Sequence, residues 1–224
     1  MRVTGVNSIA EALKAGVVNK IYVGEHINPR VAKILAEAKK QKVPIVKVKN
    51  LKKIEADVSP VKYYDFDFVV EKALRENGFI LFLDSVQDPQ NLGAVLRTAE
   101  FFGCSGVVIP KRRAAQVTET VVEVSQGAAF HLKISRVENL ANSIKKIKKY
   151  GFLVVGAEIG GKDLRSVKFT PPLALVVGGE DRGISQPVKK MCDFLVEIKG
   201  VGKTPSLNLS VAAGILLYEV RRHL

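Results

Sequence analysis

The spacing of apolar residues along this chain changes near residue 76. Before that point Ile9, Leu13 and Val17 mark one face of a helix, and Lys20-Ile21-Tyr22-Val23 reads as a short strand. Val31, Ile34, Leu35 and Ala38 form a helical stripe after Pro29, and Ile45-Val46-Lys47-Val48 forms a second strand. Residues 49–79 lose this rhythm: Asp57, Ser59 and Pro60 signal turns, and Glu71 to Asn77 reads as a connecting helix. The pattern predicts a small α/β unit over residues 1–70, a linker over 71–78 and a second domain over 79–224.

In the second stretch strand and helix alternate strongly. Phe79–Leu83, Gly106–Ile109, Gly151–Gly156, Leu173–Val177 and Phe194–Ile198 read as strands. Helices are predicted over 91–102, 117–126, 138–150, 186–191 and 208–223. Uniformly apolar strands alternating with helices imply a parallel sheet covered on both faces. Such sheets bind ligands outside the carboxyl ends of their strands.

Three loops in this domain carry candidate chemistry. In Ser206-Leu207-Asn208-Leu209-Ser210, polar residues lead into the small Ala212, Ala213 and Gly214 and then an apolar run. Ser206 or Asn208 would cap the helix; three polar residues in five also suit a backbone shaped for close approach. In Asp84 to Arg97, Asp88 and Pro89 can start a helix, and Gly93 and Ala94 share the face of Arg97, leaving its guanidinium uncovered. Arg97 is then either a phosphate or carboxylate clamp or an ordinary surface arginine. Gly178-Gly179-Glu180-Asp181-Arg182-Gly183 follows a strand directly, where glycines let a ligand approach the backbone. Gly200-Val201-Gly202-Lys203-Thr204 imitates a P-loop, but Glu197 stands where that pattern needs Gly and Pro205 follows at once, so it is rejected.

Composition narrows the partners. Among 224 residues, 35 Lys+Arg against 22 Asp+Glu give a net charge of +13, which suits a polyanion such as nucleic acid or a lysine-rich solvated surface. Two cysteines, Cys104 and Cys192, sit among apolar neighbours and read as buried thiols, so a reducing cytoplasm is expected. The three histidines lack metal-ligand spacing, and no apolar run reaches membrane-spanning length.

Taken together, Asn91-Leu92-Gly93…Arg97-Thr98-Ala99…Phe102-Gly103, Val177-Gly178-Gly179-Glu180-Asp181-Arg182-Gly183-Ile184 and Ile198…Gly202…Ser206-Leu207-Asn208-Leu209-Ser210 resemble the three ordered motifs of the SpoU (TrmH-like) RNA ribose 2′-O-methyltransferases. Ser125-Gln126-Gly127-Ala128 matches a segment between the first two, and the N-terminal unit is similar to the ribosomal-protein-like RNA-binding domain of the rRNA-modifying branch. Lys199 departs from a common Pro, and Asn7 from a frequent His. The resemblance implies an α/β fold with a C-terminal trefoil knot, an obligate homodimer and S-adenosylmethionine as cofactor. By motif position Gly178, Ile198 and Leu207 would contact the cofactor, and Asn91, Arg97, Glu180, Ser206 and Asn208 would form the catalytic group, with Asn91 and Ser206 orienting Arg97. A guanidinium with a pKa above roughly 12 is a poor general base, so Arg97 is assigned to phosphate binding and orientation. The expected substrate is structured RNA, first a large-subunit rRNA guanosine and second a tRNA ribose. The competing class, a catalytically idle RNA-binding or ribosome-assembly protein, need not retain those five polar residues.

Overall fold

The computed structural model describes residues 1–224. The N-terminal unit runs β1 (Arg2–Thr4), α1 (Val6–Lys14), β2 (Val18–Val23), α2 (Pro29–Lys40), β3 (Ile45–Lys47) and β4 (Glu55–Val58). Its sheet has the order β1-β4-β2-β3, with β2 and β3 parallel and the other neighbours antiparallel. Helix α1 buries Ile9, Ala12 and Leu13 but stops before Val17. Gly16, at φ +68°, ends it, and the Val17 amide bonds back to the Ala12 carbonyl at 3.1 Å. Asn28 caps α2 by accepting from Val31 N at 3.0 Å, with Pro29 in the first turn. The sequence pattern missed β1 and β4, whose alternation is carried by Val3, Ala56 and Val58 between charged or polar neighbours.

The remainder is α3 (Phe66–Glu76), β5 (Phe79–Asp84), α4 (Pro89–Phe101), β6 (Gly106–Pro110), α5 (Glu119–Val124), β7 (Ile134–Val137), α6 (Leu140–Lys148), β8 (Leu153–Asp163), β9 (Leu173–Gly178), α7 (Gln186–Lys189), β10 (Phe194–Glu197) and α8 (Leu209–His223). Its strands form one sheet in the order β10-β8-β9-β5-β6-β7, with every neighbouring pair parallel. The central strands β5 and β9 are buried along their whole length. One face packs Ile80, Phe82, Val154 and Val176 against α3, α6 and α7. The other packs Leu81, Leu83, Leu175 and Val177 against α4, α5 and α8. The expected doubly covered parallel sheet is therefore present. Helix α3 begins at Phe66, earlier than the predicted Glu71, and packs on this sheet. Most of the expected linker over 71–78 thus lies within a helix that packs with the second sheet.

The second core is continuous with that of the N-terminal unit, and polar contacts reinforce the join. Glu119 and Glu123, one helical turn apart on α5, accept the backbone N–H groups of Arg2 and Thr4 at 2.9 and 2.8 Å. Residues two apart in a strand present their amides to the same side, so two carboxylates on one helix face satisfy the free edge of β1. Asn7 donates to Gln126 at 3.0 Å, and Glu11 lies 2.9 Å from a ring nitrogen of His131.

Gly93 serves a different purpose from the one its spacing implied. A Cβ there would lie 2.7 Å from Val124 Cβ and 3.0 Å from the Val121 carbonyl oxygen, so this glycine lets α4 and α5 close together rather than uncovering Arg97. Gly93→Ala is expected to lower stability by about 1–3 kcal/mol through overpacking, measured by urea denaturation.

Candidate active site

A cleft of about 710 Å³ opens at the carboxyl edge of the six-stranded sheet. The ends of β8, β9 and β10, the loop after β9, and residues 205–209 enclose it. The glycines of the loop after β9 are required by the chain's own packing. A Cβ on Gly178 would lie 2.0 Å from the Gly183 carbonyl carbon, and one on Gly179 would lie 2.4 Å from Ser85 O. The expectation that these glycines admit a ligand is thus only half the matter: first they let the loop fold back on itself and on β5.

Two carboxylates then hold the returning strand of that loop. Glu158 Oε2 accepts the Ile184 amide at 3.0 Å and lies 3.3 Å from Lys189 Nζ. Asp84, buried at the end of β5, accepts the Ser185 amide at 2.8 Å and the Ser85 hydroxyl at 3.1 Å. Adjacent amides are therefore fixed from two different strands. Neither residue was singled out from the sequence. The available signal was a carboxylate directly after an apolar run in each case, which alone is unremarkable.

The three motif loops meet at one side chain. Asn91 Nδ2 donates to Glu180 Oε1 at 2.5 Å, and Asn91 Oδ1 accepts from Asn208 Nδ2 at 3.2 Å. Asn208 in turn caps α8, its Oδ1 accepting from the Ser210 amide at 2.9 Å and the Ser210 hydroxyl at 2.6 Å. Asn91 is placed in the first turn of α4, behind Pro89 and the Asp88 cap, which accepts Gln90 N at 2.9 Å. Glu180, Ser206 and Asn208 line the cleft, as do Gly178, Ile198 and Leu207.

Arg97 lies elsewhere. Its side chain lines a separate groove of about 430 Å³ with Asn7, Glu11, Phe101, Gln126 and His131, between α4 and the N-terminal unit. Asn91 bonds to Glu180 and Asn208 rather than to Arg97, and Ser206 lies in the cleft. The expected orientation of Arg97 by Asn91 and Ser206 is therefore absent within one chain. The reason is helical: six residues separate Asn91 from Arg97, which turns the arginine by about 120° about α4 away from Asn91. The thiols offer no nucleophile: burial pushes Cys104 up to about 12 and Cys192 up to about 11.

A parallel sheet with a ligand-sized cleft at its carboxyl edge, continuous with a smaller sheet unit, defines a two-unit α/β protein with a ligand site at a sheet edge. Residues 78–218 match the model of the SpoU rRNA Methylase family, and residues 2–60 match the RNA 2′-O ribose methyltransferase substrate binding model. An Archaeoglobus fulgidus protein named "Uncharacterized tRNA/rRNA methyltransferase" is 55% identical over 222 residues, covering 99% of each chain. The SpoU methyltransferase AviRb from Streptomyces viridochromogenes, solved with AdoMet, superposes with a TM-score of 0.84 at 24% identity over 99% of this chain and 89% of its own. The A. aeolicus TrmH/SpoU tRNA modifying enzyme gives 0.59 at 28% identity, covering 70% and 83%. The chain belongs to the SpoU rRNA Methylase family and is an RNA methyltransferase of that family.

Asp84→Ala would leave the half-buried Ser185 amide without its acceptor. Stability is expected to fall by about 1–3 kcal/mol, with faster amide hydrogen exchange at Ser185 read by NMR.

Proposed function

We propose that the chain transfers a methyl group from S-adenosylmethionine to a ribose 2′-hydroxyl of structured RNA, with a guanosine of large-subunit rRNA as the first target. The observation that carries this reading is the Asn91–Glu180–Asn208 junction at the rim of the cleft. The lining fits the cofactor chemically: Ile198 and Leu207 give apolar surface, while Glu158, Glu180 and Glu197 suit a ligand bearing sulfonium and ammonium charge. When bound, S-adenosylmethionine supplies an activated methyl group. Gly178, Ile198 and Leu207 would hold it, largely through backbone groups, and the trefoil threading of the C-terminal segment belongs to the same reading.

The protein's share of the reaction is alignment. A ribose hydroxyl is a weak nucleophile, and fixing it for in-line attack is worth up to about 7–11 kcal/mol. Glu180, Asn91 and Asn208 hold the cleft wall, Ser206 presents a hydroxyl within it, and Arg97 grips the target phosphate. A homodimer brings these parts together. Phe101 is 78% exposed on α4, and Val211, Ile215 and Tyr218 are 51%, 38% and 55% exposed on α8. The rings of Phe101, Phe102 and Tyr218 follow one another at 5.2 and 6.1 Å, joining both helices into one apolar face. Arg97, one turn before Phe101, sits at the border of that face, so pairing two copies places it at the seam. The compartment expected for this work is the cytoplasm.

Incubation with labelled S-adenosylmethionine and unmodified rRNA and tRNA is expected to give label in rRNA, recovered as 2′-O-methylguanosine after digestion. Label confined to tRNA would move the substrate to tRNA ribose. Label in neither pool would overturn catalysis in favour of an RNA-binding role. Arg97→Ala is expected to abolish transfer while calorimetric S-adenosylmethionine binding survives. Ile215→Asp with Tyr218→Glu is expected to halve the mass seen by light scattering.

A further inference from the structure

A fastened loop bearing three consecutive cations closes the carboxyl end of β6. Residues 110–116 leave the strand and lead toward α5, and Gln116 ties the turn together. Its Nε2 donates to the Ala114 carbonyl at 3.2 Å and to the Pro110 carbonyl at 3.5 Å, while its Oε1 accepts from Arg136 Nη1 at 3.1 Å. Arg136 itself lies 4.0 Å over the Tyr63 ring. The Ala115 amide donates to the Val86 carbonyl at 2.8 Å, which joins this loop to the segment leading from Asp84 to Asn91.

The cations on this frame are not equivalent. Lys111 pairs with Glu138 at 2.9 Å. That bond is the main reason the Glu138 carboxyl lies below its ordinary range, with the Arg112 charge adding a smaller pull in the same direction. Arg112 and Arg113 are both exposed and enter no ion pair or side-chain hydrogen bond. Arg113 adopts a left-handed φ of +59°, a conformation that a residue with a side chain rarely takes. Two neighbouring guanidiniums repel each other, and the loop holds both exposed, with the Glu138 carboxylate, already paired to Lys111, near Arg112.

Location separates this cluster from the chain's other basic runs. The lysines of α6 lie on the helix that covers the opposite sheet face, where Lys146 pairs with Asp67 and Lys148 with Asp193. The 110–116 loop instead shares the carboxyl edge with the cleft. In the order β9-β5-β6 it emerges two strands from Gly178, about 10 Å along the rim, with Asn91 on the connection between.

We propose that Arg112 and Arg113 grip phosphates of the substrate RNA flanking the reacting nucleotide, forming an RNA contact on the catalytic unit itself, separate from the N-terminal unit. The inference rests on the reading that RNA is the substrate. Guanidiniums match phosphate in bidentate fashion, and phosphate contacts fix register without reading sequence. The Gln116 and Ala115 hydrogen bonds keep the two arginines aimed while the RNA docks.

The test uses the full chain carrying Arg112→Glu with Arg113→Glu, and separately Arg112→Gln with Arg113→Gln. S-adenosylmethionine affinity and thermal midpoint serve as folding controls, and both arginines are exposed, so neither control should move. RNA affinity is read by filter binding to unmodified rRNA across a salt series, and KM and kcat where transfer is seen. Binding is expected to weaken about tenfold or more for the Glu pair and less for the Gln pair. The slope of log affinity against log salt is expected to become shallower by about 1.5 for two lost phosphate contacts. Where transfer is measured, KM for RNA rises and kcat at saturating RNA stays within about threefold. Unchanged affinity and salt slope in both variants would overturn the assignment, as would a fall in kcat alone. A wild-type chain that binds RNA but transfers no methyl group would overturn the catalytic reading, and loss of binding in the variants would still uphold the loop.

Discussion

The Asn91 side chain is the joint on which the catalytic edge depends. Its amide nitrogen meets Glu180 on the loop after β9, and its oxygen meets Asn208 at the start of α8. An asparagine can do this because one planar group carries a donor and an acceptor, so a carboxylate and a second amide can be held at once. A residue with only one of those functions would leave one loop unfastened. The backbone beneath is fixed independently by Asp84 and Glu158, which accept consecutive amides of the returning loop. The cleft is therefore enclosed by strands β8, β9 and β10 and the start of helix α8, and braced from β5 by Asp84, segments far apart in sequence.

The rest of the molecule is braced against the unit that carries this edge. The N-terminal sheet is hydrogen-bonded onto α5 through Glu119 and Glu123, and its core merges with the second sheet. Arg97 faces the groove between the units, and the apolar face of α4 and α8 lies beside it. Under the proposed dimer, Arg97 at the seam would complete a constellation that one chain leaves open.

Much of this was legible in the sequence, and the misses have physical causes. Long apolar strands such as β5 and β9 announce themselves because both faces are buried. Strands β1 and β4 escaped because they are three and four residues long and partly solvated, and alternation over such lengths is weak. Helix α3 was cut short because Asp65-Phe66-Asp67-Phe68 alternates charged and apolar residues and reads as irregular. Six motif residues converge on the cleft because motif order reflects loops sharing a sheet edge. The turn of Arg97 away from it, the role of Gly93 in packing α4 on α5, and the Asp84 and Glu158 clamps depend on which helix or loop lies opposite. Spacing within one segment does not carry that information.

The most direct measurement of the central claim is calorimetric titration of S-adenosylmethionine into the wild-type chain, Asn91→Ala and Asn91→Asp, paired with methyl transfer to RNA. The account predicts tight binding to the wild type and a loss of at least about tenfold in both variants, since Asn91→Ala removes both arms of the junction and Asn91→Asp removes the donor to Glu180. It also predicts that transfer falls further than occupancy explains. Wild-type affinity together with wild-type transfer in Asn91→Ala would contradict it.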